Sequence, residues 1–200
     1  MVFGEAVAAE AEQHQFGGKT DWFTINELAT KHGYTLDEIA AKLPNFARAI
    51  SEVMARIIAN YDVRRLPNAL ETVVALHEAG EVAQGIVTGN VGANVPIKLH
   101  AAGFDPDWFT FGAYGDESAN RNDLPPLALR RAADLLGREL DPARVLIVGD
   151  TVRDVEAARA AGVRVCIVET GYADPAVLRE AAPDYLLPDL TTFDTVLQGH

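Results

Sequence analysis

Val145-Leu146-Ile147-Val148-Gly149-Asp150-Thr151-Val152-Arg153-Asp154 is the stretch on which the reading of this chain turns. An unbroken apolar run stops at Gly149-Asp150-Thr151, and Asp154 follows one helical turn later. A short apolar run bounded by turn residues predicts a strand buried on both faces. The alanine-rich segment from Val152 to Ala161, closed by Gly162, predicts a helix. Asp150 therefore stands at a strand's C-terminal end and Asp154 in the first turn of the next helix, where open α/β sheets bind ligands. Two carboxylates in that place suit a hard cation such as Mg2+, which takes oxygen ligands and often bridges to a phosphate. The same pair also reads as a helix cap plus an acidic residue favoured by the helix dipole.

Working outward, strands and helices alternate from Leu66 to the C-terminus. A helix carrying Leu70, Val73, Val74 and His77 ends at Gly80. A strand from Gly85 to Thr88 follows, then a helix from Pro96 to Ala102, a strand near Thr110 to Ala113 and a helix from Leu124 to Leu136. Beyond the opening stretch come a strand from Val163 to Val168, a helix from Pro175 to Ala182, a strand near Tyr185 to Leu187 and a closing helix. Such alternation predicts an α/β fold with one parallel sheet and helices on both faces. Residues 1–65 contain no strand signal. Helices are expected from Gly4 to Gln15, from Thr20 or Asp21 to Thr30, from Thr35 (with Glu38, a capping box) to Leu43, and after Pro44 along Phe46, Ile50, Val53, Ile57 and Tyr61. The expected division is a helical unit over residues 1–65 and an α/β core over 66–200.

Composition excludes several classes. Hydrophobic residues make up 48% and charged residues 23% of the 200, an ordinary globular balance. A formal charge of −12 argues against nucleic acid and anionic membrane as partners. One cysteine, Cys166, lies in an apolar run, so no disulfide framework is expected. Without a signal pattern or a spanning run, a cytoplasmic protein is expected.

Two further strand ends carry chemistry. Thr88-Gly89-Asn90 ends one strand, and its hydroxyl and following amides can hold a phosphate oxygen; a plain strand-to-helix turn has the same composition. Arg121 lies in the loop Gly115 to Asn122, where a fixed cation can neutralise phosphate. His14, His32, His77, His100 and His200 show no ligand spacing, and Ser51 and Ser118 lack a nucleophile-elbow setting.

Thr88, a basic residue before the next helix and Gly149-Asp150-Thr151-Val152-Arg153-Asp154, in that order, resemble the haloacid dehalogenase-like superfamily, and the resemblance covers essentially the whole chain. It implies a Rossmann-like core with a helical cap. It further implies that Thr88 binds the transferred phosphoryl group with Gly89 and Asn90 beside it, that Asp150 and Asp154 help to hold Mg2+, and that Arg121 stands for the family's basic residue, usually Lys. Gly17-Gly18-Lys19-Thr20-Asp21 is similar to a cap segment of phosphoglycolate-phosphatase-like members, which implies a substrate contact for Lys19. The implied activity is Mg2+-dependent hydrolysis of a small phosphate monoester through an aspartyl phosphate.

The family's nucleophile is the first Asp of an Asp-x-Asp pair closing a strand that precedes the cap, and that strand lies centrally, between those ending at Thr88 and Asp150. No apolar run here ends in Asp-x-Asp; Asp105 and Asp107 flank Pro106 in a loop. The expectation is that the natural protein begins upstream of Met1 and that the 200 residues alone are inactive. The alternatives are a non-catalytic phosphate- and Mg2+-binding protein and an interaction protein whose strand edges another chain covers.

Overall fold

A computed structural model describes residues 2–14, 17–171 and 173–198. They form two compact units, one made of residues 1–63, 87–106 and 113–124, the other of 64–86, 107–112 and 125–200.

In the first unit, helices α1 (Gly4–Ala11), α2 (Asp21–Thr30) and α3 (Leu36–Ile57) pack around Phe3, Val7, Ile25, Leu28, Ala29 and Ile39. Each start is built by its sequence. Thr20 caps α2 by accepting the Phe23 N–H at 3.1 Å, and Thr35 caps α3 by accepting from Glu38 while the Glu38 carboxylate takes the Thr35 N–H at 2.8 Å. The expected end of a helix at Leu43 is corrected: α3 runs on through Pro44. Ile39, Leu43 and Ala47 are all buried, one turn apart on either side of the proline, so a break would tear the apolar stripe. Burying two large aliphatic side chains contributes about 3–6 kcal/mol, enough to offset the roughly 3 kcal/mol that an interior proline costs. The first helix is shorter than expected, and Gln15 lies outside the described residues. α5 (Val95–Ala101) belongs to the same unit and ends before Gly103, whose φ is +80°.

In the second unit, β3 (Leu146–Gly149), β4 (Arg164–Val168) and β5 (Tyr185–Leu187) form a parallel sheet in that order. Side chains alternate as a strand requires. Val165 and Ile167 pack with Val155 and Ala158 of α7 (Val152–Ala161), Leu178 of α8 (Pro175–Glu180) and Leu129 of α6 (Leu124–Leu136). Cys166 faces the other way, onto Phe193 and Val196 of α9 (Phe193–Gln198) and Leu76 of α4 (Ala69–Ala79). Burial pushes the Cys166 thiol up to about 11, as a structural cysteine requires.

The remaining strands, β1 (Gly85–Val87) and β2 (Phe111–Ala113), form a separate two-stranded sheet. Thr110 donates to Gln84 and Thr88 donates to Ala113, steps that advance along both strands in the parallel sense. A single sheet was expected; among the described residues no pairing joins the two. β3 also departs from expectation. Val148 is 43% exposed, because β3 pairs with β4 alone and is an edge strand rather than one buried on both faces. The central strand that the resemblance implies has no counterpart among the described strands. Among the described residues no helix is long and apolar enough to cross a membrane.

Candidate active site

The end of β1 gathers four of the expected residues within the first unit. Thr88 is half-buried, and its Oγ1 accepts the Asn90 N–H at 3.2 Å and the Asn90 side-chain amide at 2.9 Å. Gly89 is buried between the Lys19 carbonyl, into which a Cβ would drive, and the Arg121 guanidinium, 3.3 Å from where that Cβ would lie. Only glycine lets the chain pass here, because the nearest neighbour is backbone. Thr88, Gly89, Asn90 and Arg121 are thus brought together. Lys19 joins them through its backbone; its ammonium pairs with Glu27 at 2.5 Å and sits 5.4 Å over the Phe23 ring.

The start of α2 is tied to this turn by backbone bonds. Asp21 N–H donates to Gly89 at 2.7 Å, Trp22 N–H to Gly115 at 2.9 Å, and Gly115 N–H to Asn90 at 2.7 Å. The Thr20 hydroxyl reaches the Ala119 carbonyl at 3.1 Å.

Three residues that sequence reasoning missed complete the arrangement. The Asp21 carboxylate accepts the Val91 N–H at 2.7 Å, Asp116 accepts the Gly92 N–H at 2.8 Å, and the Lys98 ammonium donates to the Asn90 amide oxygen at 2.5 Å. Burial pushes the Asp21 carboxyl above its ordinary value, with the Val91 N–H and Lys98 opposing and Asp116 adding to the rise. Burial pulls the Lys98 ammonium down, and Asp21 opposes that. Asp21 carried a visible signal as the first residue of a helix, but the local pattern accounts for it as a cap. Lys98 carried none, since its partner is eight positions away in sequence.

In the second unit the Gly149-to-Asp154 loop is held by its own last residue. Asp154 is 9% exposed, and its Oδ2 accepts the Asp150 N–H at 3.2 Å, the Thr151 N–H at 3.1 Å and the Thr151 hydroxyl at 2.8 Å. A side chain at Gly149 would collide with the Asp154 carboxyl, and one at Gly171 with that of Asp150. Both aspartates therefore lie in cradles that only glycine leaves open. Their oxygen-only donor set fits Mg2+, which commonly takes one or two carboxylates and completes its shell with water and phosphate. Among the described residues no group of three or more His, Cys, Asp or Glu is placed to hold a metal without such additions.

Comparison with known proteins follows the same lines. Residues 121–193 match the HAD-hydrolase-like family. Protein CbbY of Rhodobacter capsulatus is 31% identical over 205 residues, spanning 98% of this chain and 87% of that one. A phosphoglycolate phosphatase of Nitrosospira multiformis is 32% identical over 137 residues, 68% of this chain and 58% of its own. Other phosphoglycolate phosphatases are matched over as little as 30% of their length. A haloacid dehalogenase-like hydrolase from Bacteroides fragilis superposes with a TM-score of 0.64 at 22% identity, over 94% of this chain and 89% of that one.

Proposed function

The chain belongs to the haloacid dehalogenase-like hydrolase superfamily, in its phosphoglycolate-phosphatase-like branch, and from that premise we propose that it serves Mg2+-dependent hydrolysis of a small phosphate monoester. The observation that carries the proposal is the loop from Gly149 to Asp154. Asp154 spends one oxygen on three loop donors, and the Asp154 and Asp150 carboxyls sit in room that Gly149 and Gly171 leave by having no side chain. A cap at Asp154 accounts for Gly149, but not for the glycine at 171 that makes room for Asp150.

In this reading residues 1–65 are a helical cap and 66–200 the core. Asp150 and Asp154 would hold Mg2+, which when bound offsets the negative charge of the phosphoryl group. Thr88 donates its hydroxyl to a phosphoryl oxygen, Gly89 and Asn90 shape the turn, and the Arg121 guanidinium supplies local positive charge that the overall charge of −12 does not. Lys19 reaches substrate by exchanging Glu27 for it. An attacking aspartate would form the aspartyl phosphate that water then hydrolyses.

The lack of an apolar run ending in Asp-x-Asp favours a second reading, a non-catalytic protein that binds phosphate and Mg2+. The readings share the metal site and part at turnover. Mg2+ titrated calorimetrically into the chain should show saturable binding that Asp150→Asn abolishes; binding unchanged in that variant would remove the basis of both. Hydrolysis of p-nitrophenyl phosphate by the 200-residue chain, dependent on Mg2+, would sink the second reading.

A further inference from the structure

A threonine hydroxyl carries one donor hydrogen and two acceptor lone pairs. At Thr88 both acceptor sites are taken by Asn90, one by its backbone N–H and one by its side-chain amide. The hydroxyl hydrogen is thereby kept for an acceptor beyond this pair. That outcome depends on which way round the Asn90 amide sits. Turned over, the amide would present its oxygen to Thr88, accept the hydroxyl hydrogen and leave Thr88 with nothing to donate outward.

Lys98 decides the orientation. Its ammonium has donors only, and it lies 2.5 Å from the Asn90 amide oxygen, so a reversed amide would set donor against donor. Lys98 is half-buried on α5, with the Asp21 carboxylate as its electrostatic partner.

We infer that Lys98 is a positioning residue for phosphate recognition: by fixing the Asn90 amide it keeps the Thr88 hydroxyl turned out as an obligate hydrogen-bond donor. It needs no contact with phosphate to act. This rests on the reading of Thr88 as the phosphate-binding hydroxyl.

The test is a double-mutant cycle on binding of inorganic phosphate to the full 200-residue chain. Thr88→Val should weaken binding about tenfold, the size of one lost hydrogen bond to a charged group. Lys98→Met should weaken it by a similar factor, and Thr88→Val/Lys98→Met should be no weaker than Thr88→Val alone. Lys98→Arg, which keeps a donor facing Asn90, should recover binding to within about twofold. If Lys98→Met leaves binding unchanged, or its loss adds in full on top of Thr88→Val, the inference is overturned while the reading of Thr88 stands. If wild type binds no phosphate, or Thr88→Val binds it normally, the reading of Thr88 falls and the inference with it. Removing Lys98 takes away the cation that opposes the rise of the Asp21 carboxyl. Should Lys98→Met not fold, Asp21→Asn/Lys98→Met removes both charges and is compared with Asp21→Asn by the same arithmetic.

Discussion

Replacing Asp154 with alanine should cost stability through the hydrogen bonds that hold the Gly149-to-Asp154 loop. Its Oδ2 accepts three hydrogen bonds, two from backbone N–H groups and one from the Thr151 hydroxyl. The hydroxyl can turn to water, but the two amides are half-buried and fixed by the chain. Each N–H left without its partner costs about 1 kcal/mol at this depth, toward the low end for buried groups. Loss of a carboxylate from the first turn of α7 adds about 0.3–1 kcal/mol. The sum is about 2–3 kcal/mol, or roughly 4–12 °C of Tm for a chain of this size. Asp154→Asn keeps one acceptor oxygen and should cost about half as much. Urea unfolding of the three proteins, followed by circular dichroism, measures the difference. A loss below about 0.5 kcal/mol for Asp154→Ala, within the range of ordinary surface changes, would refute the reasoning.

Gly89→Ala should destabilise the first unit by about 1–3 kcal/mol, because its Cβ meets the Lys19 backbone and the bonds from Asp21 and Trp22 must shift. Gly17→Ala, with nothing within 4 Å of its added carbon, is the control and should be neutral; equal urea midpoints for the two would argue against the packing described. Asp21→Asn tests the sign of a titration. Since burial raises the folded-state pKa of Asp21 above the value of 3.8 for the free group, its contribution to stability is full below that value and lost as pH rises through the raised one. Asparagine does not ionise, so the variant should gain on wild type as pH rises above 3.8, and a gap that stays constant or moves the other way would contradict the assignment.

Much of this architecture was legible because it is local. The capped starts of α2 and α3, the extent of α6 from Leu124 to Leu136 and the glycine that ends α7 each follow from a few neighbouring residues. Pro44 was misjudged for the opposite reason, as its effect on α3 is outweighed by what Leu43 and Ala47 pack against. The burial of β3 was overstated because a run of apolar residues reports hydrophobicity and not how many neighbours a strand has. At the site, Thr88 and the aspartates are conspicuous by their place at strand ends. Lys98 and Asp116 are not, since what recruits them is the path of the turn from Thr88 to Gly92.

The central claim is that these residues serve phosphoryl transfer once an attacking aspartate is supplied. It is tested by joining an apolar strand ending in Asp-x-Asp to the N-terminus and measuring initial rates of p-nitrophenyl phosphate hydrolysis with Mg2+ and with EDTA. The account predicts Mg2+-dependent turnover by the extended chain, lowered at least about a hundredfold by Thr88→Val or Asp150→Asn, the scale on which charge-stabilising groups act in a transition state. Turnover that survives EDTA, or that neither substitution lowers, would contradict it.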